Sequence, residues 1–266
     1  MVEPIEAAYF VPAGNDRYRP TEHTGGAWRD DEQHLAPVAG LMAHHMERWR
    51  QANADPSLAF SRFAFEVLGQ IPRDAVELST EVVRPGRTIE LIETTAVIGG
   101  RAIIRARGWL LQTCDTGPVA GDEFAPMPPP EEAIEYPIAE EWAGGFICSL
   151  SGRHFDGARP GRGRAWLTTD LALVEGEEST PLADFLRLVD TANGVAVRVG
   201  PSEWMFPNVD LTVHLFRQPS GRWVGLDTRV AFGPQGAGLT SSVLHDLQGP
   251  VGMVQQSLTV RRLVAG

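Results

Sequence analysis

The chain has 266 residues and a formal net charge of −11, with an apolar fraction of 43% that is ordinary for a globular protein. That length supports one large domain or two smaller ones with a substantial core. The charge argues against broad nucleic-acid binding or attachment to an anionic membrane surface. No apolar run approaches the roughly 20 residues needed to span a bilayer, so no membrane insertion is expected. Cys114 and Cys148 make neither a disulfide framework nor metal-ligand spacing, and MVEPIEAAYF lacks the basic and apolar parts of a secretory signal. The expectation is a reducing cytoplasm.

Residues 1–29 hold a short apolar start and a polar stretch. Residues 34–49 read as an amphipathic helix, with Leu35, Val38, Ala39, Met42, Met46 and Trp49 on one face and Pro37 in the first turn. Alternating runs follow near 59–68, 75–84, 87–97 and 101–112, the last two separated by a Gly99-Gly100 hairpin signal. Residues 115–140 are rich in Pro and acid, the composition of an extended surface connector. Short runs lie at 143–150 and 164–174, and GRGRAW at 161–166 reads as a turn. Thr180 and Pro181 then open a helix over 181–196, as N-cap and first helical residue. Leu182, Phe185, Leu186, Val189, Asn193 and Ala196 share a stripe, with Asp190 at its edge. From Asn208 the period becomes two, and strands are predicted near 208–217, 222–232, 237–246 and 251–262.

The chain repeats itself. A shift of roughly 147 residues lays LAPVAGLMAHHMERW on LADFLRLVDTANGVA, FSRFAFEVLGQIP on FPNVDLTVHLFRQP, and IIRARGWLLQ on VGMVQQSLTV. This predicts two α+β units, residues 1–114 and 141–266, joined by the 115–140 connector. Each would have a long helix wrapped by an antiparallel sheet, with the sheets joined edge to edge. Under this shift Asp190 faces Ala43, Asn208 faces Ser61 and Gln256 faces Trp109. Two of three polar positions are therefore apolar in the first half, which assigns the polar chemistry to the second. Gln256 shares parity with Val254, Leu258 and Val260, so a polar amide is expected on an apolar face, where it needs partners. His44 and His45, near Ala43, read as helix-surface or rim residues.

LVDTANG (188–194), PNVDLTVHLFR (207–217) and VQQSLTVR (254–261), with QHLAPVAGLMA (33–43) in the first helix, resemble the double-hotdog acyl-CoA thioesterases of the TesB-like, thioesterase-like superfamily. The resemblance spans nearly the whole chain. It implies an Asp on the second helix, a Thr or Ser at the head of the next strand and a Gln on the last strand. Asp matches at Asp190 and Gln at Gln256; the hydroxyl position is Asn208, a departure. It also implies hydrolysis of an acyl-CoA by activated water, no cofactor beyond the coenzyme A of the substrate, no metal, and a homodimer.

Those residue types suit the reaction. A carboxylate can hold and deprotonate water, amide N–H groups can meet the charge on the carbonyl oxygen, and a Gln amide can also position water. Asn208 has no hydroxyl and cannot be a nucleophile, which favours direct attack by water. GxSxG, P-loop, GxGxxG, HExxH and CxxC motifs are absent. Arg153, Arg159, Arg162 and Arg164 form a local basic cluster. Two rival readings stand beside hydrolysis: an acyl-CoA-binding module without turnover, and an enoyl-CoA hydratase or dehydratase. The latter chemistry pairs an Asp with a His, and the second-half motifs have no His at a matching position.

Overall fold

The computed structural model describes residues 7–263. Residues 1–6, most of the segment read for a secretory signal, and 264–266 lie outside the described residues. The first half contains β1 (Ala8–Pro12), β2 (Arg17–Pro20), α1 (Leu35–Asn53), β3 (Leu58–Val67), β4 (Val76–Arg84), β5 (Ile89–Ile98) and β6 (Arg101–Gln112). After the connector come β7 (Ile134–Glu135), α2 (Ile138–Glu141), α3 (Gly145–Cys148), β8 (Leu150–His154), β9 (Arg162–Thr169) and β10 (Ala172–Val174). The chain continues through α4 (Pro181–Val189), α5 (Ala192–Val195), β11 (Trp204–Met205), β12 (Asp210–Leu215), β13 (Val224–Phe232), β14 (Ala237–Asp246), β15 (Gly249–Thr259) and β16 (Arg261–Arg262).

Among the described residues, fourteen strands form one sheet in the order β10-β1-β2-β4-β5-β6-β3-β12-β15-β14-β13-β9-β8-β7, and β11 pairs separately with β16. The halves meet edge to edge where β3 and β12 run antiparallel, from Asp210 opposite Glu66 to His214 opposite Arg62. Only Asp170 and Leu171 connect β9 to β10, a span of about 10 Å at most. Yet these strands lie near opposite ends of the order. The sheet therefore curls until its ends meet, and the Tyr9 hydroxyl on β1 donates to Thr169 Oγ1 at the end of β9 (3.1 Å). The ends meet through this side-chain contact and the short β9–β10 connection, while β10 and β7 remain the two edge strands.

The sheet wraps two helices that touch, rather than two separately wrapped ones. α1 lies against β4 and β5, and α4 against β13. The helices run antiparallel: His34 at the start of α1 is beside Asp190, and His44 further along bonds Glu177, which precedes α4. They cross at Gly40, where a Cβ would lie 2.8 Å from the Arg187 Cα. One apolar core is continuous through both halves.

The repeat is real at the level of strands but slips by a residue. β4, β5 and β6 recur as β13, β14 and β15, beginning at 76 and 224, 89 and 237, 101 and 249, an offset of 148. In a sheet, one residue of slip exchanges the two faces. The counterpart of Gln256 is thus Gly108, on the core face, and not Trp109, which points the other way. A Cβ on Gly108 would lie 2.5 Å from Phe60 Cε1, so the Phe60 ring fills in the first half the space that Gln256 occupies in the second.

Other expectations need correction. GRGRAW is not a turn from end to end: the chain turns at Gly161 (φ 81°) and Arg162 begins β9. Gly163 is required because a side chain there would strike the Val195 carbonyl oxygen at 2.8 Å. The helix predicted over 181–196 breaks at Asp190 into α4 and α5, with Thr180 capping the first through the Ala183 N–H. The run at 143–150 begins as the helical turn α3. His44 and His45 are buried against Glu177 and Asp16, and do not line the site described next.

Candidate active site

Asp190 stands at the C-terminus of α4, where the chain steps from one short helix to the next. Its side chain is 4% exposed. Two amides hold one of its oxygens: Asn208 Nδ2 donates to Oδ1 at 2.8 Å and Gln256 Nε2 donates to the same atom at 2.7 Å. Gln256 Nε2 also donates to the Asp190 carbonyl at 3.2 Å. Asn208 lies two residues before β12, bridges Leu258, and gives its second amide hydrogen to the Asp210 carbonyl at 2.9 Å. It both shapes the entry to the strand and holds the carboxylate. The alternation of β15 turns Gln256 inward between Val254 and Leu258.

The structure thus gathers Asp190, Asn208 and Gln256 around one carboxylate oxygen, in direct contact. The second oxygen, Oδ2, accepts from neither amide. Its neighbour is His34, whose Nδ1 is 3.4 Å away. His34 is the N-cap of α1, and the Ala36 N–H donates to its Nδ1 at 3.1 Å. The lone pair is therefore on Nδ1, and in the neutral ring the proton is on Nε2. Phe146 lies against the ring at 4.5 Å between centroids. Sequence reasoning missed this residue because it belongs to the other half of the repeat. One local signal was available: His is uncommon at an N-cap, where Ser, Thr, Asp and Asn are preferred.

Burial sets the charges. Desolvation raises the Asp190 carboxyl to about 6, against the opposing pull of the Asn208 and Gln256 hydrogen bonds. Desolvation lowers the His34 imidazole to about 4. At neutral pH the pair is a carboxylate beside a neutral imidazole, not a salt bridge.

These groups open on a cavity of about 450 Å³ lined by His34, Leu35, Asp190, Thr191, Asn193 and Asn208, with Trp28, Ile71, Ile138, Trp142 and Ile147 supplying apolar wall. Trp28 and Trp142 meet edge to face at 5.2 Å, and both pack on Phe206. Gln256 is not among the lining residues. Both of its described contacts go to Asp190, so it orients the carboxylate from behind the cavity wall. The arrangement offers a base with one open oxygen and a neutral N–H donor, beside apolar space that fits a chain.

The sequence matches the family model of the acyl-CoA thioesterase N-terminal domain over residues 24–111 and that of the acyl-CoA thioesterase C-terminal domain over residues 121–260. No curated protein matches the chain. Among solved structures, a presumed thioesterase from Novosphingobium aromaticivorans superimposes with a TM-score of 0.72 at 16% identity, covering 95% of this chain and 98% of its own. A protein of unknown function with a hot dog fold from Alicyclobacillus acidocaldarius gives 0.71 at 12%, covering 93% of each chain. The acyl-CoA thioesterase II TesB2 of Mycobacterium marinum gives 0.63 at 14%, covering 96% of each. At these identities the structural likeness speaks to fold, that of a double hotdog. The two domain models, matched in order along most of the sequence, speak to kinship: the chain belongs to the acyl-CoA thioesterase family, whose members are thioester hydrolases.

Proposed function

We propose that the protein hydrolyses an acyl-CoA to the free acid and coenzyme A with a water activated by Asp190, using no cofactor and no metal. The observation that carries this reading is the asymmetry of the carboxylate: Oδ1 is held by two amides, while Oδ2 is open on the His34 side. Oδ2 takes a proton from water, and the water oxygen attacks the thioester carbonyl. The carbonyl oxygen becomes negative and accepts from His34 Nε2–H and from the Leu35 N–H, which as the first of α1 has no acceptor within the helix. Collapse breaks the carbon–sulfur bond, and the proton on Asp190 passes to the departing sulfur. Asn208 and Gln256 are positioning residues, fixing the carboxylate rotamer. With Asn at 208 there is no hydroxyl at that position, so no acyl-enzyme forms there.

A neutral imidazole donor is more useful here than a cation, since its proton affinity is closer to that of the group it stabilises. The two halves then have distinct parts: the first (residues 1–114) supplies the donor and the second (141–266) the base, across the connector 115–140. We assign the protein to the cytoplasm. A homodimer is supported by Val82, Val83, Ile89 and Leu111, which stand exposed at the same end of β4, β5 and β6.

The His34–Asp190 contact favours one second reading, hydration or dehydration of an enoyl-CoA, which uses such a pair as base and acid. Incubation with acyl-CoA and with 3-hydroxyacyl-CoA separates the two. Hydrolysis releases free thiol, read with a disulfide dye. Dehydration produces the enoyl thioester absorbance with no thiol. His34→Ser retains a side-chain oxygen to cap α1 but removes the N–H. It should lower kcat for thiol release by roughly 10²-fold, the scale of losing one oxyanion donor, with little change in KM. Unchanged kcat would leave His34 as a cap alone.

A further inference from the structure

Nine buried side-chain polar atoms among the described residues have no hydrogen-bond partner within the protein. Folded proteins leave few such atoms, and each needs a reason. Four of the nine belong to residues that line the cavity: Gln33 Oε1, Trp142 Nε1, Thr191 Oγ1 and Asn193 Oδ1. A fifth, Gln256 Oε1, is on the side chain that holds Asp190. This concentration at one site of an otherwise well-satisfied interior points to a ligand with polar groups of its own.

The chemistry of the unpartnered atoms narrows what that ligand carries. Gln33 Nε2 donates to the Pro72 carbonyl at 2.7 Å, and Asn193 Nδ2 donates to the Phe206 carbonyl at 3.0 Å. Both amide orientations are thereby fixed: Gln33, which also donates to the Asp74 carbonyl at 3.4 Å, has an acceptor oxygen left, and Asn193 has its oxygen and one N–H. Trp142 Nε1 is a donor only, and the Thr191 hydroxyl can act either way. Their placement is equally specific. Thr191 adjoins Asp190 in the chain, and Gln33 adjoins His34. The indole nitrogen of Trp142 lies over Gly194, where a Cβ would be 3.2 Å from it, one helical turn beyond Asp190. Two of the unpartnered groups thus belong to residues that adjoin Asp190 and His34 in the chain, and all four belong to residues of the same cavity wall.

We infer that the cavity receives an acyl group bearing a hydroxyl on the second or third carbon from the thioester. This rests on the acyl-CoA hydrolase reading and specifies its substrate. A hydroxyl accepts from Trp142 Nε1–H and donates to the Asn193 or Gln33 oxygen, so one group meets both kinds of demand. A keto group could only accept and would leave the amide oxygens unpaired. An unsubstituted alkyl chain would leave every one of these atoms unpaired. A carboxylate substituent would face the Asp190 charge and two amide oxygens.

The test separates binding from turnover. Asp190→Asn keeps the shape of the site, so the affinities of 3-hydroxyhexanoyl-CoA and hexanoyl-CoA can be compared in it by titration calorimetry. The hydroxylated ester should bind at least about tenfold more tightly, the scale of one satisfied buried hydrogen bond. Adding Trp142→Phe, which keeps a ring against Trp28 and Phe206 but removes the N–H, should bring the ratio below about threefold. Thr191→Val serves the same purpose if that variant does not fold. Equal affinities in the Asp190→Asn protein, or a preference that survives both substitutions, would overturn the inference. Thiol release by the wild-type protein is read separately. Failure to release thiol from either ester would refute the hydrolase reading, while the affinity ratio would still decide the hydroxyl.

Discussion

At the scale of the residue, the burial that would suit Asp190 to the proposed role of base costs the fold stability. Its folded pKa of about 6 exceeds the ordinary 3.8, so the folded protein binds the proton more tightly than the unfolded chain. The associated stability is fully present below about pH 4 and is lost as pH rises through about 6. Above that, ionised Asp190 destabilises the fold by about 3 kcal/mol, an order-of-magnitude figure from the shift. Asp190→Asn cannot ionise, and its amide oxygen can keep the Asn208 and Gln256 bonds. It should raise the urea midpoint at pH 8 and lose that advantage near pH 4. A variant less stable than wild type at pH 8 would contradict the desolvation account. His34 has the opposite sign: its depressed pKa contributes stability above about pH 6.5 that is lost as pH falls through about 4. Asp190 and Gln256 were legible in the sequence because each is a polar side chain breaking an apolar periodicity. Asn208 was legible only through the family resemblance. His34 was hidden because its partner is across a helix crossing, which no periodicity reports.

Among the elements, the α1–α4 crossing brings together His34 and Asp190, the proposed donor and base. Gly40 permits it, since a Cβ would approach the Arg187 backbone to 2.8 Å. In an exposed helix, Gly→Ala stabilises by about 1 kcal/mol. Here overpacking, about 1–3 kcal/mol, opposes and should exceed that gain. Gly40→Ala should therefore lower the denaturation midpoint and also kcat, because His34 and Asp190 ride on the displaced helices. A more stable variant with wild-type kcat would show that the crossing has slack. The strands were well read: Arg101–Gln112 and Ala237–Asp246 were placed as the structure has them. What failed has physical causes. β9 was obscured because Gly163 is needed for the approach of α5, so a strand glycine looked like a turn glycine. The α4–α5 break carries no Pro or Gly at Asp190 itself. β1 and β2, five and four residues long, are too short for their alternation to stand out.

For the whole molecule, internal duplication explains why there is one candidate site and not two. The second half keeps Gln256 where the first has Gly108 and a Phe60 ring, so the first half is packed solid where the second holds its carboxylate. Ala43→Asp should accordingly fail to restore turnover to an Asp190→Asn protein. The proposed homodimer should appear in light scattering at micromolar concentration as twice the 29.0 kDa chain; a single monomeric species would contradict it. The central claim is that Asp190 activates the water that cleaves the thioester. The most direct test is the pH dependence of thiol release from an acyl-CoA by the wild-type and Asp190→Asn proteins. The wild-type kcat/KM should rise with pH through about 6 and then stay level, because His34 remains neutral, and Asp190→Asn should lower kcat by about 10²-fold or more at pH 8. Turnover by Asp190→Asn at the wild-type rate, with the same pH profile, would contradict it.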